Sequence, residues 1–219
     1  MIFSKVCRAC GRELVAGENK ICLHCVSDIP FWRGSEDDLR AHRLPRSAPV
    51  AAVHPWMVYS NTDPLCGLIR KGKFNDSPEL IEELGRRYGE WLMSEGLLEG
   101  VETLIPVPMH WWKMFRRGYN QSVLIAESIS EVSGISVSQA LKAVKGHAVQ
   151  SRKSGWERAA NVEGIFALRK NHDLESGMHV AVVDDILTTG ATLSEAIRAL
   201  TPASPGSITV LALAATRLR

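Results

Sequence analysis

Carboxylates and hydroxyls are concentrated in one short stretch of this sequence. Asp184 and Asp185 directly follow the apolar run Val180–Val183. Paired carboxylates accept hydrogen bonds from sugar hydroxyls, and a small hydroxylic turn before a helix offers N–H groups and hydroxyls to a phosphate. The stretch therefore predicts a site for a sugar phosphate such as ribose 5-phosphate. The small and hydroxylic residues are Thr188, Thr189, Gly190, Ala191 and Thr192.

The same turn has a simpler interpretation. A polar strand-to-helix connection capped by Thr192 would explain one threonine, but neither the adjacent aspartates nor the other hydroxyls. Other phosphate motifs fit poorly, because the sequence has no GxxxxGK[ST] pattern and no GxGxxG at a strand end. Gly190 favours the phosphate interpretation, since a residue without a side chain lets the backbone approach the anion closely.

Four cysteines form a second constellation near the start of the chain. Their C-x₂-C-x₁₁-C-x₂-C spacing lets two tight turns point four sulfurs at one tetrahedral ion, which predicts a structural Zn²⁺ ribbon. The alternatives are four unrelated reduced thiols, or His24 substituting for one ligand. Cys66 stands apart and is interpreted as a buried thiol. The predicted ligands are Cys7, Cys10, Cys22 and Cys25.

The overall composition is that of a globular protein. The chain has 219 residues, of which 45% are hydrophobic and 23% charged, and its net charge of +2 does not select a partner. Apolar runs such as Thr209–Ala215 are too short to cross a bilayer, so no stable membrane insertion is expected. Lys5 and cysteines stand where a secretory signal would be apolar, and we expect a cytoplasmic protein.

Strands and helices alternate from about residue 101 onward, which predicts a parallel sheet with both faces covered. The fold class is therefore α/β. Upstream, Ala51–Tyr59 is predicted as a strand and Ser77–Glu95 as a helix. The downstream strands are predicted at Val101–Val107, Val137–Val144, Gly164–Leu168, Val180–Val183 and Ser207–Ala215, and the helices at Gln121–Ser133 and Thr192–Leu200.

Three segments follow from this organisation. Residues 1–33 are predicted to be the zinc ribbon, too small to fold without a metal. Residues 34–100 are predicted to be a linker and a hood-like N-terminal segment, with Gly34–Pro49 as an irregular, charged arm. Residues 101–219 are predicted to be the core that carries the sugar-phosphate site.

The stretch from Val182 to Thr192 resembles the signature of the type I phosphoribosyltransferases, which bind phosphoribosyl pyrophosphate. The resemblance implies the parallel-sheet fold of that family. It also implies that Asp184 and Asp185 hold the ribose hydroxyls, that residues 188–192 cradle the 5′-phosphate, and that Mg²⁺ accompanies the pyrophosphate.

Further motifs lie elsewhere in the chain: Ile105–Pro108, Arg116–Ser122 and the pattern Arg158-x-x-Asn161-Val162-x-Gly164-x-Phe166. In these motifs and in the four-cysteine ribbon, the chain is similar to the competence-protein ComF family. This family resemblance implies a role in natural transformation, in which incoming single-stranded DNA is handled together with competence or recombination proteins.

Two basic clusters acquire a role through the same resemblance. Pro108–Asn120 occupies the place of the pyrophosphate-binding loop, and Lys145–Asn161 that of a mobile loop over the active site. Arginine can contact pyrophosphate oxygens bidentately. Each of these residues could equally be ordinary surface charge. The candidates are Arg116 and Arg117 for the pyrophosphate, and Arg152, Lys153 and Arg158 for the lid.

Three functions remain open at the level of sequence. The protein could bind phosphoribosyl pyrophosphate while handling DNA, transfer the phosphoribosyl group to an acceptor in nucleotide salvage or metabolism, or sense the ligand without chemistry. Transfer would displace pyrophosphate at the anomeric carbon. No set of residues identifies an acceptor, so the sequence does not decide whether the protein is an enzyme.

Overall fold

A five-stranded parallel sheet forms the centre of the molecule. The computed structural model describes residues 6–60, 78–111, 114–115, 118–144 and 164–217. The strands are β1 (Val50–Val58), β2 (Thr103–Pro106), β3 (Ser136–Val137), β4 (Leu141–Ala143), β5 (Phe166–Leu168), β6 (His179–Leu187) and β7 (Ser207–Ala215). The sheet order is β1-β7-β6-β2-β3, with every neighbouring pair parallel. Strands β4 and β5 form a separate antiparallel pair.

Helices cover both faces of this sheet. They are α1 (Leu23–Ser27), α2 (Glu36–Arg43), α3 (Pro78–Ser94), α4 (Gln121–Ser133) and α5 (Ala191–Leu200), followed by a short 3-10 turn at Thr201–Ala203. Within the described part of the chain, none of the helices combines the length and apolar character needed to span a membrane.

Alternate residues of β6 belong to different cores, because successive side chains of a strand point to opposite faces. Ala181 and Val183 pack in the core formed with α3, α4 and the cysteine segment. Val180 and Val182 pack in the core formed with α2 and α5. Both faces of the strand are therefore buried, which explains its continuous apolar run.

Two glycines of α3 allow close contact with α4. A Cβ atom on Gly85 would lie 2.9 Å from the Cβ of Ser128, and one on Gly89 would lie 2.5 Å from Cγ2 of Val132 and 3.1 Å from Cα of Ile129. Glycine lowers helix propensity, so these two positions weaken the helix in isolation. In the fold, they provide the space into which α4 packs.

The cysteine segment packs into the same core as α3. Ile21 and Ile29 share that apolar cluster with Ile81 and Leu84. Arg8 forms an ion pair with Glu79 of α3 at 3.5 Å, and Lys20 forms one with Glu82 at the same distance. These contacts place the cysteine segment on the face of the sheet that α3 and α4 cover.

Several sequence predictions of secondary structure need correction. The arm predicted over Gly34–Pro49 contains helix α2, whose N-cap Ser35 accepts a hydrogen bond from the Asp38 N–H at 3.0 Å. The strand predicted at Val137–Val144 is two short strands in different sheets. The strand predicted at Val180–Val183 extends from His179 to Leu187. The predicted helices at Ser77–Glu95, Gln121–Ser133 and Thr192–Leu200 match α3, α4 and α5 to within one residue at each end.

Candidate functional site

The two adjacent aspartates are the sixth and seventh of the nine residues of β6, inside the strand and not beyond its end. Asp184 is 8% exposed. Its Oδ1 accepts hydrogen bonds from the Ser122 hydroxyl at 3.0 Å and from the Asp185 N–H at 2.9 Å. Oδ1 of Asp185 accepts the Ile186 N–H at 2.7 Å. Both carboxylates are thus oriented by hydrogen bonds at the carboxyl edge of the sheet, where open α/β folds bind ligands.

The threonine-rich turn leads directly from this edge into α5. Thr188, Thr189 and Thr192 are exposed, whereas Gly190 is buried. Gly190 is the N-cap of α5 and has φ of 79°. That left-handed conformation favours glycine over residues that carry a Cβ.

The start of α5 differs from that of the helices that carry a side-chain cap. The side chain of Ser35 caps α2, and the side-chain oxygen Oδ1 of Asn120 caps α4 by accepting the Ser122 N–H at 3.2 Å. Gly190 has no side chain with which to cap α5. The Ala191 N–H makes only a long contact of 3.5 Å with Oγ1 of Thr189, and the first N–H groups of a helix are well suited to an anion. The alternative that Thr192 caps this helix is therefore wrong, because the cap position is two residues earlier.

The connection between β2 and α4 is closed by Asn120. Its side-chain N–H donates to the Val107 carbonyl at 2.9 Å, which ties the two ends of the connection together. Asn120 is 6% exposed. Trp111 and Phe115, in contrast, are 68% and 80% exposed on the same connection.

The four predicted metal ligands lie together. Their sulfur atoms are within 4.8 Å of one another. The sulfurs of Cys7 and Cys25 are 3.9 Å apart, and those of Cys10 and Cys22 are 3.8 Å apart. Sulfurs that are about 2.3 Å from a tetrahedral zinc ion lie about 3.8 Å from each other, whereas a disulfide bond would bring them to about 2.05 Å. The cysteines could therefore hold a metal ion such as zinc.

His24 lies outside this sulfur cluster. Its side chain is 71% exposed, and Nε2 is 3.5 Å from a carboxylate oxygen of Asp28. The alternative in which His24 replaces a cysteine ligand is not supported by this arrangement, because all four cysteines are gathered without it.

The surroundings of Cys22 and Cys25 shift the pKa values of these two thiols in opposite directions. Burial raises the pKa of Cys22, but hydrogen bonds from Arg12 and the Cys25 N–H outweigh it and bring that pKa to about 6. Burial and the neighbouring thiols raise the pKa of Cys25. Like charges cannot accumulate in a small buried space unless a cation offsets them. The cluster is thus suited to a metal ion that stabilises all four thiolates.

Glu18 organises the loop between the two cysteine pairs. Its carboxylate accepts the Val15 N–H at 3.0 Å and the Leu23 N–H at 2.8 Å, and it also pairs with Arg12. The two backbone hydrogen bonds lower the pKa of Glu18, and desolvation opposes them. Arg12 therefore links the carboxylate of Glu18 to the thiol of Cys22.

The structure places Asp184 and Asp185 in β6 and the turn of residues 188–192 directly between that strand and α5. Their role in binding a ligand stays a prediction. Sequence reasoning assigned no role to Ser122 or Asn120, although both belong to the motif that carried the family resemblance. The predicted cationic residues of the pyrophosphate loop and the lid lie outside the described residues. They are Arg116, Arg117, Arg152, Lys153 and Arg158.

The sheet order, the acid pair of β6 and the glycine-capped α5 define a domain of the type I phosphoribosyltransferase fold. In agreement, the family model of the phosphoribosyl transferase domain matches residues 120–218. The crystal structure of an adenine phosphoribosyltransferase superposes with a TM-score of 0.42 and 14% identity, over 64% of this chain and 71% of that chain.

The similarity to whole proteins extends beyond this domain and includes the cysteine segment. Competence protein F of Haemophilus influenzae is 34% identical over an alignment of 223 positions, which covers 97% of each chain. DNA utilization protein YhgH of Salmonella typhi is 29% identical over 87% of this chain and 81% of that protein. The chain belongs to the competence protein F (ComF) family.

Proposed function

We propose that this protein binds phosphoribosyl pyrophosphate, together with Mg²⁺, at the end of β6 and the start of α5. The observation that carries the proposal is the direct connection of an oriented carboxylate pair to a helix whose N-cap is the left-handed Gly190. Carboxylates suit the ribose hydroxyls, and the helix N-terminus suits the 5′-phosphate.

Each part of the site has a distinct task in this proposal. Asp184 and Asp185 accept hydrogen bonds from the two ribose hydroxyls, and residues 188–192 surround the 5′-phosphate. Bound Mg²⁺ supplies positive charge to the pyrophosphate and ribose oxygens. The cationic side chains of the pyrophosphate loop and the lid contact the pyrophosphate; they are Arg116, Arg117, Arg152, Lys153 and Arg158.

Calorimetric titration of phosphoribosyl pyrophosphate with Mg²⁺ into the wild type and an Asp184→Asn/Asp185→Asn variant tests this proposal. We expect the double variant to bind at least about 100-fold more weakly, because a hydrogen bond to a charged group contributes ~1.5–3 kcal/mol. The substitutions remove negative charge, which by itself would favour an anion. A loss of binding would therefore report the lost hydrogen bonds to charged carboxylate oxygens.

A Glu127→Gln/Glu131→Gln variant is the matched control. It removes the same charge from exposed carboxylates of α4, which line a groove beside Lys20 of the cysteine segment. Equal affinity of this control and the wild type is expected. Failure of the folded wild type to bind phosphoribosyl pyrophosphate would refute the proposal.

We further propose that the ligand site serves the handling of single-stranded DNA during natural transformation. Membership of the competence protein F family supports this role, and so do the exposed rings of Trp111 and Phe115, since aromatic rings stack on bases. We expect Arg116→Ala or Arg152→Ala to weaken single-strand binding with a steep dependence on salt. Unchanged DNA binding in both variants would leave the DNA role without support.

Phosphoribosyl transfer to an acceptor is the alternative function of the same pocket. Release of pyrophosphate in the presence of candidate bases would identify it, and loss of that release in Asp184→Asn/Asp185→Asn would assign it to this site. Binding without any pyrophosphate release would favour a protein that handles DNA or senses the ligand. The cytoplasmic location expected from the sequence remains a prediction.

For the cysteine centre we propose one structural zinc ion. The spacing of the four sulfurs supports this assignment, and with four protein ligands the coordination shell is complete. Elemental analysis should find one equivalent of zinc in the wild type and much less in Cys22→Ser. A folded wild type without metal would contradict the proposal.

A further inference from the structure

The guanidinium group of Arg43 reaches the end of β6 and the segment that follows β7. Arg43 is the last residue of α2. Its Nη1 donates to the carbonyl of Leu187 at 3.2 Å, and its Nη2 donates to the carbonyl of Arg217 at 3.2 Å. Leu187 is the residue directly before the threonine-rich turn, so one arm of the guanidinium fixes the entrance of that turn.

The backbone of the same arginine contacts the exit of the turn. The Arg43 carbonyl accepts a hydrogen bond from the Ser194 hydroxyl at 3.2 Å. A Cβ atom on Gly190 would lie 2.0 Å from that carbonyl oxygen, so the backbones of α2 and of the turn are in direct contact. Arg43 therefore touches the turn on both sides, through its side chain before it and its carbonyl after it.

Helix α2 is itself fixed to the sheet and can act as a support. At the start of this helix, Oε2 of Glu36 lies 2.9 Å from Nδ1 of His54 in β1. The contacts from Arg40 to the carbonyls of Val50 and Ala51 are longer, at 3.4 and 3.3 Å, and add little to this attachment. Leu39 is fully buried in the core on this face.

From these contacts we infer that Arg43 is a positioning residue, which holds the turn of residues 188–192 in the shape that receives the 5′-phosphate. The inference rests on the proposed binding of phosphoribosyl pyrophosphate. The sequence indicated only an irregular linker for the charged arm Gly34–Pro49. The inference gives its helix α2 the task of supporting the loop of residues 188–192.

The charge of Arg43 has a second effect on the same loop. The carbonyls at the end of a helix carry partial negative charge, and that of Arg43 lies directly against Gly190 of the loop. Burial lowers the pKa of Arg43, yet an arginine remains protonated. Its cation offsets the carbonyl charge, so the support does not repel the phosphate.

Arg43→Met removes the fork and the charge while keeping a long apolar stem, and Arg40→Met is its matched control. Both arginines lie on α2 and both donate to backbone carbonyls, but only Arg43 contacts the loop. We expect Arg43→Met to bind ribose 5-phosphate and phosphoribosyl pyrophosphate about tenfold more weakly, since small misplacements of a binding group are costly. Binding of inorganic pyrophosphate with Mg²⁺ should be unchanged in both variants.

Amide resonances of residues 189–191 provide a readout that requires no ligand. They should broaden or shift in Arg43→Met, and also in Ser194→Ala, which retains Arg43 but loses the hydroxyl bonded to its carbonyl. They should stay unchanged in Arg40→Met. If Arg43→Met fails to fold, Ser194→Ala decides the question by the same spectra.

The outcomes separate this inference from the proposed function. Ligand binding by the wild type with equal affinity in Arg43→Met would overturn the positioning role and leave the ligand assignment intact. If the wild type bound neither ribose 5-phosphate nor phosphoribosyl pyrophosphate, the proposed function would fail. The spectra would then decide the positioning role: unchanged resonances in Arg43→Met and Ser194→Ala would refute it, and broadened ones would support it.

Discussion

At the scale of single residues, the orientation of Asp184 depends on a serine from another element. Ser122 lies in the first turn of α4 and is 4% exposed. Its hydroxyl and the Asp185 N–H both donate to the same carboxylate oxygen. Two donors on one oxygen fix the rotation of the carboxylate, which prepares the group without reorganisation for the ribose hydroxyl that we propose it binds.

Ser122→Ala should therefore weaken binding of ribose 5-phosphate about tenfold, because a hydrogen bond to a charged group is lost. Ser128→Ala is the matched control, since Ser128 lies on the same helix and is also 4% exposed. Titration calorimetry of both variants measures the difference. Equal affinities would show that the Ser122 hydroxyl is not needed to orient the carboxylate.

The thiol acidities predict how zinc binding depends on pH. At pH 7, Cys22 with its pKa of about 6 is mostly ionised, whereas the raised pKa of Cys25 keeps that thiol protonated. Zinc must then displace at least the proton of Cys25, and below pH 6 it must also displace that of Cys22. Zinc affinity should therefore fall as the pH falls.

Zinc titrations of metal-free protein in buffers of different ionisation enthalpy would count the released protons. At least one proton per zinc is expected at pH 7, and more at pH 5.5. An Arg12→Met variant, which loses the hydrogen bond to Cys22, should release more protons at pH 7 than the wild type. A proton count independent of pH would contradict this assignment of thiol acidities.

At the scale of elements, α3 packs against α4, the helix that carries Ser122. Gly89→Ala would place a Cβ atom 2.5 Å from Cγ2 of Val132. Overpacking of this kind costs ~1–3 kcal/mol, which exceeds or offsets the ~1 kcal/mol gained in helix propensity. We expect a net loss of stability in denaturant unfolding.

A Gly89→Ala/Val132→Ala variant is the appropriate comparison. Removing the Val132 side chain relieves the shorter contact, while the contact of 3.1 Å to Cα of Ile129 remains. The double variant should be more stable than the sum of the two single effects predicts. Strict additivity would show that the Val132 side chain does not oppose the new methyl group.

The same two elements show what could be read from the sequence and what could not. Helix α3 was predicted from its apolar spacing, since the pattern is local. The partner of Gly85 and Gly89 could not be predicted, because α4 lies more than 30 residues further along the chain. Local patterns set the element, whereas only the tertiary contact explains why two glycines are placed inside it.

The candidate site divides in the same way. The acid pair and the turn of residues 188–192 are adjacent in sequence, so their proximity in the fold was predictable. Arg43 contacts Leu187 from 144 residues away. Helix α2 was missed because Leu39 is its one buried residue, which leaves no apolar stripe for a pattern to detect.

At the scale of the whole molecule, the cysteine segment shares one continuous apolar core with the central sheet. Cys7 and Cys22 are buried in the cluster that contains Leu80, Leu84 and Tyr88. The ring of Tyr88 stacks on Trp56 of β1, with centroids 5.9 Å apart. The apolar contacts therefore run without interruption from the sulfurs to the central sheet.

This continuity predicts that loss of zinc destabilises the whole protein as one unit. The ion pairs Arg8–Glu79 and Lys20–Glu82 are exposed and contribute little, so the effect should come from the shared apolar core. A loss of ~3 kcal/mol would lower the Tm by about 6–12 °C, because each kcal/mol corresponds to about 2–4 °C at this chain length. Calorimetry of the wild type after chelation and of Cys22→Ser should show one transition at the lower temperature.

An Arg8→Met/Lys20→Met variant that keeps its zinc is the control and should melt close to the wild type. A main transition that stays in place while a small early one appears would instead mean that the cysteine segment unfolds independently.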